Sequence, residues 1–460
     1  MDLPANHSYS PSPPSKRFYL RTFGCQMNQH DSEIISGMLS ARGWSRTKVE
    51  EEADLILLNT CSVRRHAEER VLGRLARYRK EKEARPELRV GVIGCMAQIW
   101  KGRLRDKFPE LDLIMGPGEF ARLGEEVESP RTSGGRVLFD GFPLSPDFFH
   151  FPANHRSSLH AWVTVIRGCN NFCSYCVVPY ARGREISRPT GDIIDEVRSL
   201  GKKGYKEVTL LGQNVNSYRG GYPGGNQVDF AELLKLLNPI AGIERIRFVT
   251  SHPKDISPGL VSAIAGLDKV CESIHFPAQS GSDAVLKRMR RGYTRDDYMA
   301  KVRALKSEVA GITLASDFIV GFPGESDDDF TLTLELLREV RFDRIFAFSY
   351  SPRPKTLSAQ WPDDIPPEVK SARLQELLAL QRSISLEKNQ ELLGYEVEVL
   401  VEGRNRKYPD RGEGRTRGDK RVFFPWVDGL EGRLVKVRIE RVTALSLFGI
   451  YTISKVKFSK

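Results

Sequence analysis

The centre of the chain carries the segment Gly168-Cys169-Asn170-Asn171-Phe172-Cys173-Ser174-Tyr175-Cys176. Its three cysteines have the spacing C-x3-C-x2-C, with an aromatic residue just before the last one. Iron–sulfur clusters are normally held by four cysteine thiolates, so three thiolates leave one iron open to a small molecule. A structural zinc site would need a fourth Cys or His nearby, and none follows within the next turn. The spacing favours a 4Fe–4S cluster with an open position; zinc and inert buried thiols are the alternatives.

The composition is typical of a globular protein that binds metal in a reducing compartment. The chain has 460 residues, of which 40% are hydrophobic and 28% are charged, and this length predicts two or three domains. Seven cysteines and no recognisable signal sequence favour a cytoplasmic location and metal ligands over disulfides. The sequence has no apolar run long enough to span a membrane, so we expect no membrane association. Residues 1–15, rich in Pro and Ser, are predicted to be a disordered tail.

Residues 16–130 are predicted to form an N-terminal α/β domain with a parallel sheet, because short apolar runs alternate with helical patterns. The predicted strands are 17–23, 53–58, 88–93 and 111–115. Cys25, Cys61 and Cys95 follow the ends of three of these strands, and ligands of open α/β sheets gather at such ends. They are candidate ligands of a second cluster, again with three thiolates. The alternative is that they are small core residues.

A linker rich in Gly and Pro, residues 131–158, is predicted to lead into a second domain over residues 159–391. Strands at 161–167, 207–212, 246–251, 273–278, 313–321 and 344–350, each followed by a helical pattern, predict a partial (β/α)6 barrel. The cysteine loop follows the first strand, on the face where barrel enzymes place their chemistry. Segments 212–214, 279–282, 317–325 and 350–354 follow later strands and would complete one site with it.

Residues 392–458 are predicted to form a small OB-like β-barrel that binds RNA. The predicted strands are 395–401, 421–426, 434–441 and 448–455, and residues 412–421 are predicted to be a turn. Residues 394–460 hold 15 basic and 9 acidic side chains, so +6 of the net +11 lies there. We expect exposed Phe423, Phe424 and Trp426 to stack on unpaired bases while Arg and Lys bind phosphates. The alternative is a barrel whose aromatic residues fill its core and whose charges are merely solvated.

Over residues 16–458 the chain resembles the radical S-adenosylmethionine methylthiotransferases. The cysteine loop resembles their radical cluster motif, and three segments are similar to their auxiliary-cluster motifs: Thr22-Phe23-Gly24-Cys25-Gln26-Met27-Asn28, Asn59-Thr60-Cys61-Ser62-Val63-Arg64 and Gly94-Cys95-Met96-Ala97-Gln98. The C-terminal block is similar to their TRAM domain. Gly414-Arg415-Thr416-Arg417 resembles the tRNA-modifying subgroup, although Gly418-Asp419-Lys420 stands where that subgroup frequently has Asn.

The resemblance implies an enzyme that converts N6-dimethylallyladenosine at position 37 of the tRNA anticodon loop into its 2-methylthio derivative. It implies two 4Fe–4S clusters, with the six triad cysteines as the catalytic and metal-binding residues: Cys169, Cys173 and Cys176 for the radical cluster, and Cys25, Cys61 and Cys95 for the auxiliary cluster. It also implies two molecules of S-adenosylmethionine per turnover, one that methylates a cluster sulfur and one that yields the radical which takes hydrogen from adenine C2.

The same resemblance predicts further site residues and partners. The predicted S-adenosylmethionine pocket consists of Tyr175, Gln213, Asn214, Gln279, Ser280, Asp317, Gly321 and Arg353, and the predicted RNA contacts are Arg415, Arg417, Lys420, Arg421 and Phe423. The implied partners are isopentenylated tRNAs that read codons beginning with U, and an electron donor of the flavodoxin or ferredoxin type. We expect the chain to act as a monomer.

Other functions stay open at this point. One alternative keeps the methylthiolation chemistry but changes the substrate to a ribosomal-protein aspartate or to threonylcarbamoyl-adenosine in tRNA. The other alternative is a non-catalytic iron–sulfur protein that binds RNA or transfers electrons. The basic C-terminal block favours tRNA over a basic ribosomal protein. Cys271, His252 and His275 are predicted to be structural. Arg182 and Arg184 fit either a phosphate or a cofactor carboxylate.

Overall fold

The computed structural model describes residues 16–452 apart from 63–64, 130–136, 140–145 and 222–223. The predicted tail at 1–15, part of the predicted linker, and the end of the last predicted strand lie outside the described residues. The chain forms two compact units. The N-terminal unit comprises residues up to Arg156 together with Tyr180–Arg182, and the C-terminal unit comprises Ser157–Pro179 and the chain from Gly183 onward. No helix in the described part is long and apolar enough to cross a membrane.

One parallel sheet forms the centre of the N-terminal unit, as the alternating pattern predicts. Its strands are β1 (Arg17–Thr22), β2 (Ser45–Arg46), β3 (Leu55–Thr60), β4 (Arg89–Gly94), β5 (Leu113–Met115) and β6 (Val137–Phe139), in the order β2-β1-β3-β4-β5-β6. Its helices are α1 (Gln26–Ala41), α2 (Arg65–Ala84), α3 (Cys95–Lys107) and α4 (Leu123–Glu126). The sequence did not indicate β2 and β6, two short strands at the edges of the sheet.

Helices cover both faces of this sheet. Phe18 and Leu20 of β1 pack against α1 in one core, while Ile56 and Leu58 of β3 pack in another core with Val71 of α2. Every residue of β3 is buried, which is why it reads as an unbroken apolar run rather than an alternating one. The central strands are therefore held rigidly, and the loops at their carboxyl ends are fixed in place.

The C-terminal unit contains the predicted partial barrel. Its strands are β7 (His160–Thr164), β8 (Ile166–Arg167), β9 (Ile186–Ser187), β10 (Glu207–Leu211), β11 (Arg219–Gly221), β12 (Gln227–Asp229), β13 (Arg245–Phe248), β14 (Ser273–His275), β15 (Thr313–Val320) and β16 (Arg344–Ser349). Six of them form two parallel sheets, β13-β10-β7 and β14-β15-β16. The sheets adjoin where Ile246 of β13 bridges Val270. The short antiparallel pair β8–β9 encloses the cysteine loop.

The short helix α5 (Val178–Arg182) ends in the residues Tyr180–Arg182 that belong to the N-terminal unit. In the described part of the C-terminal unit the strands are accompanied by α6 (Thr190–Lys202), α7 (Phe230–Leu237), α8 (Pro258–Gly266), α9 (Asp283–Arg288), α10 (Arg295–Glu308), α11 (Asp327–Val340) and α12 (Pro367–Gln390). Three begin with capping boxes, in which the N-cap side chain and the third helical residue satisfy each other's backbone N–H groups. The capping residues are Asp229, Thr294 and Ser326. Each cap therefore fixes the residue at which a loop ends and the next helix begins.

The C-terminal block is a closed five-stranded barrel, which confirms the predicted OB-like module. Its strands are β17 (Glu396–Arg404), β18 (Arg411–Thr416), β19 (Arg421–Pro425), β20 (Leu434–Val442) and β21 (Leu447–Thr452), in the order β17-β18-β19-β21-β20. The prediction of a turn over residues 412–421 is wrong in its first half, because residues 411–416 form β18. Its glycines are required by packing: a Cβ at Gly414 would lie 2.2 Å from the Leu400 carbonyl oxygen.

The turn between β18 and β19, residues 417–420, lies against the amino-terminal ends of the barrel strands. Arg245 and Arg247 of β13 donate to main-chain carbonyls in and beside this turn, with N–O distances of 2.7 Å. Gly418 packs on Thr313 at the start of β15, where a Cβ would lie 2.6 Å from Thr313 Cγ2. Arg245 is fully buried, so the small barrel is attached through groups that water does not reach.

Candidate active site

Cys25, Cys61 and Cys95 lie at the carboxyl ends of three adjacent strands, β1, β3 and β4. The register aligns these ends, since Thr22 pairs with Asn59 and Thr60 pairs with Gly94. Cys61 and Cys95 are buried and Cys25 is exposed. The structure therefore brings to one sheet edge three cysteines that are far apart in sequence.

Two glycines allow the backbone to approach this edge closely. Gly24 has φ 110°, and a Cβ there would lie 2.9 Å from the Cys61 Sγ atom. Gly94 has φ 94°, and a Cβ there would lie 2.5 Å from Asn59 Oδ1. Both positions therefore require glycine for space and for conformation. The loops around the cysteines are compact because these side chains are absent.

Asn28 connects two of the cysteine loops. Its Nδ2 atom donates to the carbonyls of Phe23 and Thr60, each at 2.9 Å, and these residues lead into Cys25 and Cys61. Asn59 supports Asn28 in turn, donating from Nδ2 to the Asn28 carbonyl at 2.9 Å. Both asparagines are fully buried, so this network fixes the loops in one arrangement.

Arg182 is a buried cation next to the same cysteines. Its Nη2 atom donates to Asn28 Oδ1 at 2.7 Å and to Asp31 Oδ2 at 2.8 Å. Burial raises the pKa of the Cys95 thiol, and the nearby Arg182 guanidinium opposes that rise. Arg182 is therefore a charged neighbour of the N-terminal cysteines, which resolves one of the roles that the sequence left open.

The cysteine loop of the C-terminal unit follows β8 and is held by backbone contacts at both ends. Gly168 has φ 77°, and a Cβ there would lie 2.0 Å from the Arg184 carbonyl oxygen. The Cys169 amide donates to the Gly183 carbonyl at 3.1 Å, and the Cys176 amide donates to the Cys173 carbonyl at 3.0 Å. Cys169 and Cys173 are buried and Cys176 is partly buried.

Arg291, which the sequence did not single out, contacts this loop directly. It is 5% exposed, and its Nη1 atom lies 3.3 Å from Cys173 Sγ and 3.4 Å from the Tyr175 hydroxyl. Its Nε atom donates to the Tyr293 hydroxyl at 2.9 Å. Arg291 thus places a buried positive charge beside the Cys173 sulfur. The only feature of the sequence that could have drawn attention to Arg291 is the pair of adjacent arginines at 290 and 291.

Both cysteine triads have the donor chemistry that an iron–sulfur cluster needs. All seven cysteines are free. Burial raises the pKa of Cys169, and burial together with neighbouring Cys173 raises the pKa of Cys176 to about 12. Such thiols ionise readily only when a metal takes up the charge. Among the described residues no three Cys, His, Asp or Glu side chains converge on a point where one metal ion would bind. Three thiolates that bind different irons of a cubane are not required to converge in that way.

The predicted S-adenosylmethionine pocket residues fall into two groups. The first group supports the loops: Gln213 Oε1 accepts from the Gly168 amide at 2.6 Å, Asn214 Nδ2 donates to Asp255 at 2.7 Å, and the Ser280 hydroxyl lies 3.3 Å from Thr333 Oγ1. Gly321, at φ 66°, has no room for a Cβ beside Lys370, and the Arg353 carbonyl closes a turn with Thr356. Gln279 adopts a left-handed conformation with φ 72°.

Tyr175 and Asp317 form the second group, near the open side of the sheet β14-β15-β16, where two phenylalanines that were not predicted also lie. Tyr175 packs edge-on against Phe322 with ring centroids 6.3 Å apart. Phe318 and Val320 of β15 face the helices in the core, so Asp317 and Ile319 lie on the opposite side. We call that side the inner face; it consists of His275, Asp317, Ile319, Phe346 and Phe348.

Two exposed phenylalanines dominate the inner face. Phe346 pairs in register with Asp317 and is 38% exposed, and Phe348 pairs with Ile319 and is 36% exposed. His275 lies beside them, with Nε2 3.1 Å from Asp317 Oδ1 and its ring 5.9 Å from that of Phe346. His275 is thus part of the inner face, whereas the sequence favoured a purely structural role. Large apolar side chains open to solvent on a concave side are typical of ligand sites.

His252 and Cys271 are both buried, which fits the predicted structural roles. His252 is buried, and burial together with Arg291 lowers its pKa to about 2, so the ring stays neutral. Its Nδ1 atom accepts from the Lys254 amide at 3.3 Å. Cys271 is 1% exposed. Arg184, whose role the sequence left open, lies 4.8 Å from the Phe172 ring, which is cation–π contact in the cysteine loop.

Three of the five predicted RNA contacts pair with acidic residues of the barrel or of the small barrel itself. Arg417 binds Glu272 with two N–O distances of 2.7 Å, Lys420 lies 2.9 Å from Asp343, and Arg415 lies 2.8 Å from Asp419. The charges of Arg417 and Lys420 thus help to attach the C-terminal barrel, whereas Arg415 pairs within it. The expectation that Phe424 is exposed is wrong: it is 2% exposed and packs in the barrel core. Trp426 is partly buried, and its indole donates to Asp428.

Arg421 and Phe423, the other two predicted contacts, lie on the outside of the small barrel. Phe423 stacks on Phe448 with ring centroids 5.4 Å apart, and the Arg441 guanidinium lies 3.7 Å from the Phe448 ring. We call Arg421, Phe423, Arg441 and Phe448 the aromatic surface. Its combination of stacked rings and flanking cations is typical of surfaces that bind unpaired bases.

Comparison with known proteins matches each part of the chain. Residues 17–116 match the uncharacterized protein family UPF0004, residues 163–337 match the Radical SAM superfamily, and residues 390–452 match the TRAM domain. The tRNA-2-methylthio-N(6)-dimethylallyladenosine synthase of Moorella thermoacetica is 46% identical over 94% of this chain and 98% of its own length. The synthase of the same name from Desulforamulus reducens is 47% identical over 93% of each chain.

The chain belongs to the tRNA-2-methylthio-N(6)-dimethylallyladenosine synthase family. Among solved structures it is similar to the radical S-adenosylmethionine methyltransferase TsrM from Kitasatospora setae, with a TM-score of 0.53 and 16% identity over 75% of this chain and 77% of that one. This likeness concerns the fold. Membership of the family makes the chain a radical S-adenosylmethionine enzyme, for which a 4Fe–4S cluster and S-adenosylmethionine are the cofactors. The predicted family and three-part architecture are thereby confirmed.

Proposed function

We propose that the chain converts N6-dimethylallyladenosine at position 37 of the tRNA anticodon loop into 2-methylthio-N6-dimethylallyladenosine. The observation that carries the proposal is the pair of cysteine triads, one at the carboxyl ends of three parallel strands and one in the single loop after β8, in a member of a family whose relatives bear that name. A hydrogen on aromatic C2 has no useful pKa, so acid–base chemistry does not replace it and a radical route is needed.

Cys169, Cys173 and Cys176 hold one 4Fe–4S cluster in this proposal, and Cys25, Cys61 and Cys95 hold the other. When bound, these groups and two molecules of S-adenosylmethionine per turnover supply a 5′-deoxyadenosyl radical and the methylthio group. The protein positions and insulates them. Gln213 fixes the start of the radical loop through the Gly168 amide, and Arg291 places positive charge beside Cys173. Asn28 fixes the loops of the auxiliary site.

The inner face supports a dimethylallylated substrate over the alternatives. Phe346 and Phe348 expose apolar surface on the same face as Ile319, which pairs in register with Phe348. Ile319 and Tyr175 of the cysteine loop pack against the same buried cluster. A branched five-carbon group gains by covering such surface. The carboxylate of a ribosomal-protein aspartate and the polar threonylcarbamoyl group would lose hydration over Phe346 and Phe348, and the polar pair of this face, His275 and Asp317, already bind each other. We therefore assign the dimethylallyl group to the inner face.

The aromatic surface supports binding of a single-stranded RNA loop. Phe423 and Phe448 offer stacking surface, while Arg421 and Arg441 offer charge to phosphates. The natural substrates would be isopentenylated tRNAs that read codons beginning with U. The electron would come from a donor of the flavodoxin or ferredoxin type.

Anaerobic reconstitution of three proteins tests the proposal: the wild type, a Cys25→Ala/Cys61→Ala/Cys95→Ala variant and a Cys169→Ala/Cys173→Ala/Cys176→Ala variant. Iron, sulfide, 5′-deoxyadenosine and modified nucleosides are measured after reduction, with dimethylallylated tRNA as substrate. We expect the wild type to make 2-methylthio nucleoside and each variant to lose about one of two clusters. The N-terminal variant is expected to cleave S-adenosylmethionine without forming product.

Three results would contradict the proposal. A wild type that cleaves S-adenosylmethionine yet leaves the nucleoside content of tRNA unchanged would shift the substrate toward the ribosomal-protein aspartate. A wild type that forms no 5′-deoxyadenosine would favour a non-catalytic iron–sulfur protein. Full iron content in the N-terminal variant would show that Cys25, Cys61 and Cys95 do not bind a cluster.

A further inference from the structure

Arg182 has more hydrogen-bonding capacity than the protein uses. Its side chain is 3% exposed, and its Nη2 atom donates to both Asn28 and Asp31. Its Nη1 atom is buried and has no hydrogen-bond partner among the described residues. Buried donors are nearly always satisfied, and an unsatisfied one costs about 1–3 kcal/mol, more when it is charged. Besides Asn28 and Asp31, the Arg182 side chain contacts the Cys95 thiol, which is a weak acceptor. A buried cationic donor beside a candidate cluster ligand points to a stronger acceptor at the cysteine site that the protein alone does not provide.

The position of Arg182 indicates the nature of that group. An arginine guanidinium is always protonated in proteins, and Asn28 and Asp31 hold this one beside the loops of Cys25 and Cys61. Arg182 therefore stays charged under all conditions. The fully buried Asp31 carboxylate accepts a hydrogen bond from Nη2 of Arg182 and balances its charge. Nη1 of Arg182 is left to donate to an acceptor at the cysteine site.

We propose that Nη1 of Arg182 donates a hydrogen bond to a sulfur of the group held by Cys25, Cys61 and Cys95, and that its charge makes this group easier to reduce. The inference rests on the proposed auxiliary cluster and adds a residue to it. Hydrogen bonds to sulfur and nearby charge are two of the protein's means of setting a cluster's potential. Arg182 acts as a positioning residue, because Asn28 connects it to the loops of Cys25 and Cys61.

The Cys169→Ala/Cys173→Ala/Cys176→Ala chain isolates the N-terminal site for the test. Arg182→Met removes the charge, and Arg182→Lys keeps the charge but loses the planar donor pair. Arg105→Met is the matched control, because Arg105 lies on the surface of α3 and its contact is with neighbouring Asp106. The readouts are iron content, circular dichroism and the midpoint potential from a redox titration followed by electron paramagnetic resonance.

We expect a more negative potential for Arg182→Met than for the parent, an intermediate value for Arg182→Lys, and the parental value for Arg105→Met. A parental potential in an iron-loaded Arg182→Met chain would overturn the inference. Iron lost from both Arg182 variants while circular dichroism stays parental supports it, whereas loss of the folded signal makes Arg182 a structural residue and overturns it. If the parent itself binds no iron, the auxiliary cluster fails and the inference fails with it.

Discussion

Replacement of Phe346 by alanine tests whether the inner face recognises the dimethylallyl group. Phe346 is 38% exposed, and an aromatic side chain offers about 150–250 Å² in total, so about 75 Å² of the ring is available to a ligand. At about 25 cal/mol per Å², covering that area contributes about 2 kcal/mol, or about 20-fold in Kd. The substitution removes this surface while leaving Asp317 and His275 in place.

The assay compares two anticodon stem-loop RNAs that differ only in the dimethylallyl group. We expect Phe346→Ala to weaken binding of the dimethylallylated RNA about 20-fold and to change binding of the unmodified RNA little, so that the ratio of the two Kd values falls. Phe346→Leu, which keeps apolar surface, should retain most of the ratio.

A matched control comes from the aromatic surface. Phe423→Ala should weaken both RNAs equally, because stacking on the loop does not depend on the modification. If Phe346→Ala also weakens both RNAs equally, the ring stacks on a base rather than on the dimethylallyl group. An unchanged ratio and unchanged affinities would place the dimethylallyl group elsewhere and refute the assignment.

Three further changes test other parts of the structure. Gly24→Ala in the chain that lacks Cys169, Cys173 and Cys176 should lower the iron content, because the new methyl group would lie 2.9 Å from Cys61 Sγ; parental iron content would contradict the close packing. Asp419→Asn should lower the melting temperature at pH 7: burial disfavours the carboxylate, but Arg415, Arg247 and Arg344 outweigh burial and lower its pKa from 3.8 to about 2. That stabilisation is present above pH about 4 and is lost as pH falls through about 2, so the difference from wild type should narrow in acid, and a constant difference would contradict it. Cys271→Ala should leave iron content and S-adenosylmethionine cleavage unchanged, since Cys271 is buried outside both triads; loss of a cluster would assign it a ligand role.

The strands and the cysteine positions were predictable because local patterns encode them. The central parallel strands are buried on both faces, so β3 and its neighbours read as short apolar runs bounded by Gly, Asn and Thr. Each N-terminal cysteine follows such a run, and the adjacency of β1, β3 and β4 then brings the three together. The strand β18 was missed because Gly412, Gly414 and alternating charges look like a turn. Pairing within a closed barrel overrides that local preference.

The roles of individual arginines were not predictable, because sequence does not state which charges meet. Arg417 binds Glu272, which is 145 residues away, so an apparent phosphate ligand is a domain contact. Arg291 and Arg182 lie beside cysteines to which no sequence spacing connects them. Phe424 lies in the core of the small barrel and Phe423 lies on its outside, because adjacent residues of a strand point to opposite faces.

The contacts of the turn at residues 417–420 determine whether the C-terminal domain could be replaced by that of a related protein. A TRAM domain joined by a loose linker would be a portable module, and a chimera would need only a compatible junction. Here the turn is recognised by Arg245, Arg247, Glu272 and Asp343, which belong to the barrel. A transplanted C-terminal domain without the same turn would remove acceptors from Arg247 and the cationic partners of Glu272 and Asp343, although Arg247 would keep Glu207 and Asp343 would keep Lys388. The barrel and the small β-barrel are therefore expected to be inherited together, as one unit of evolution and of engineering.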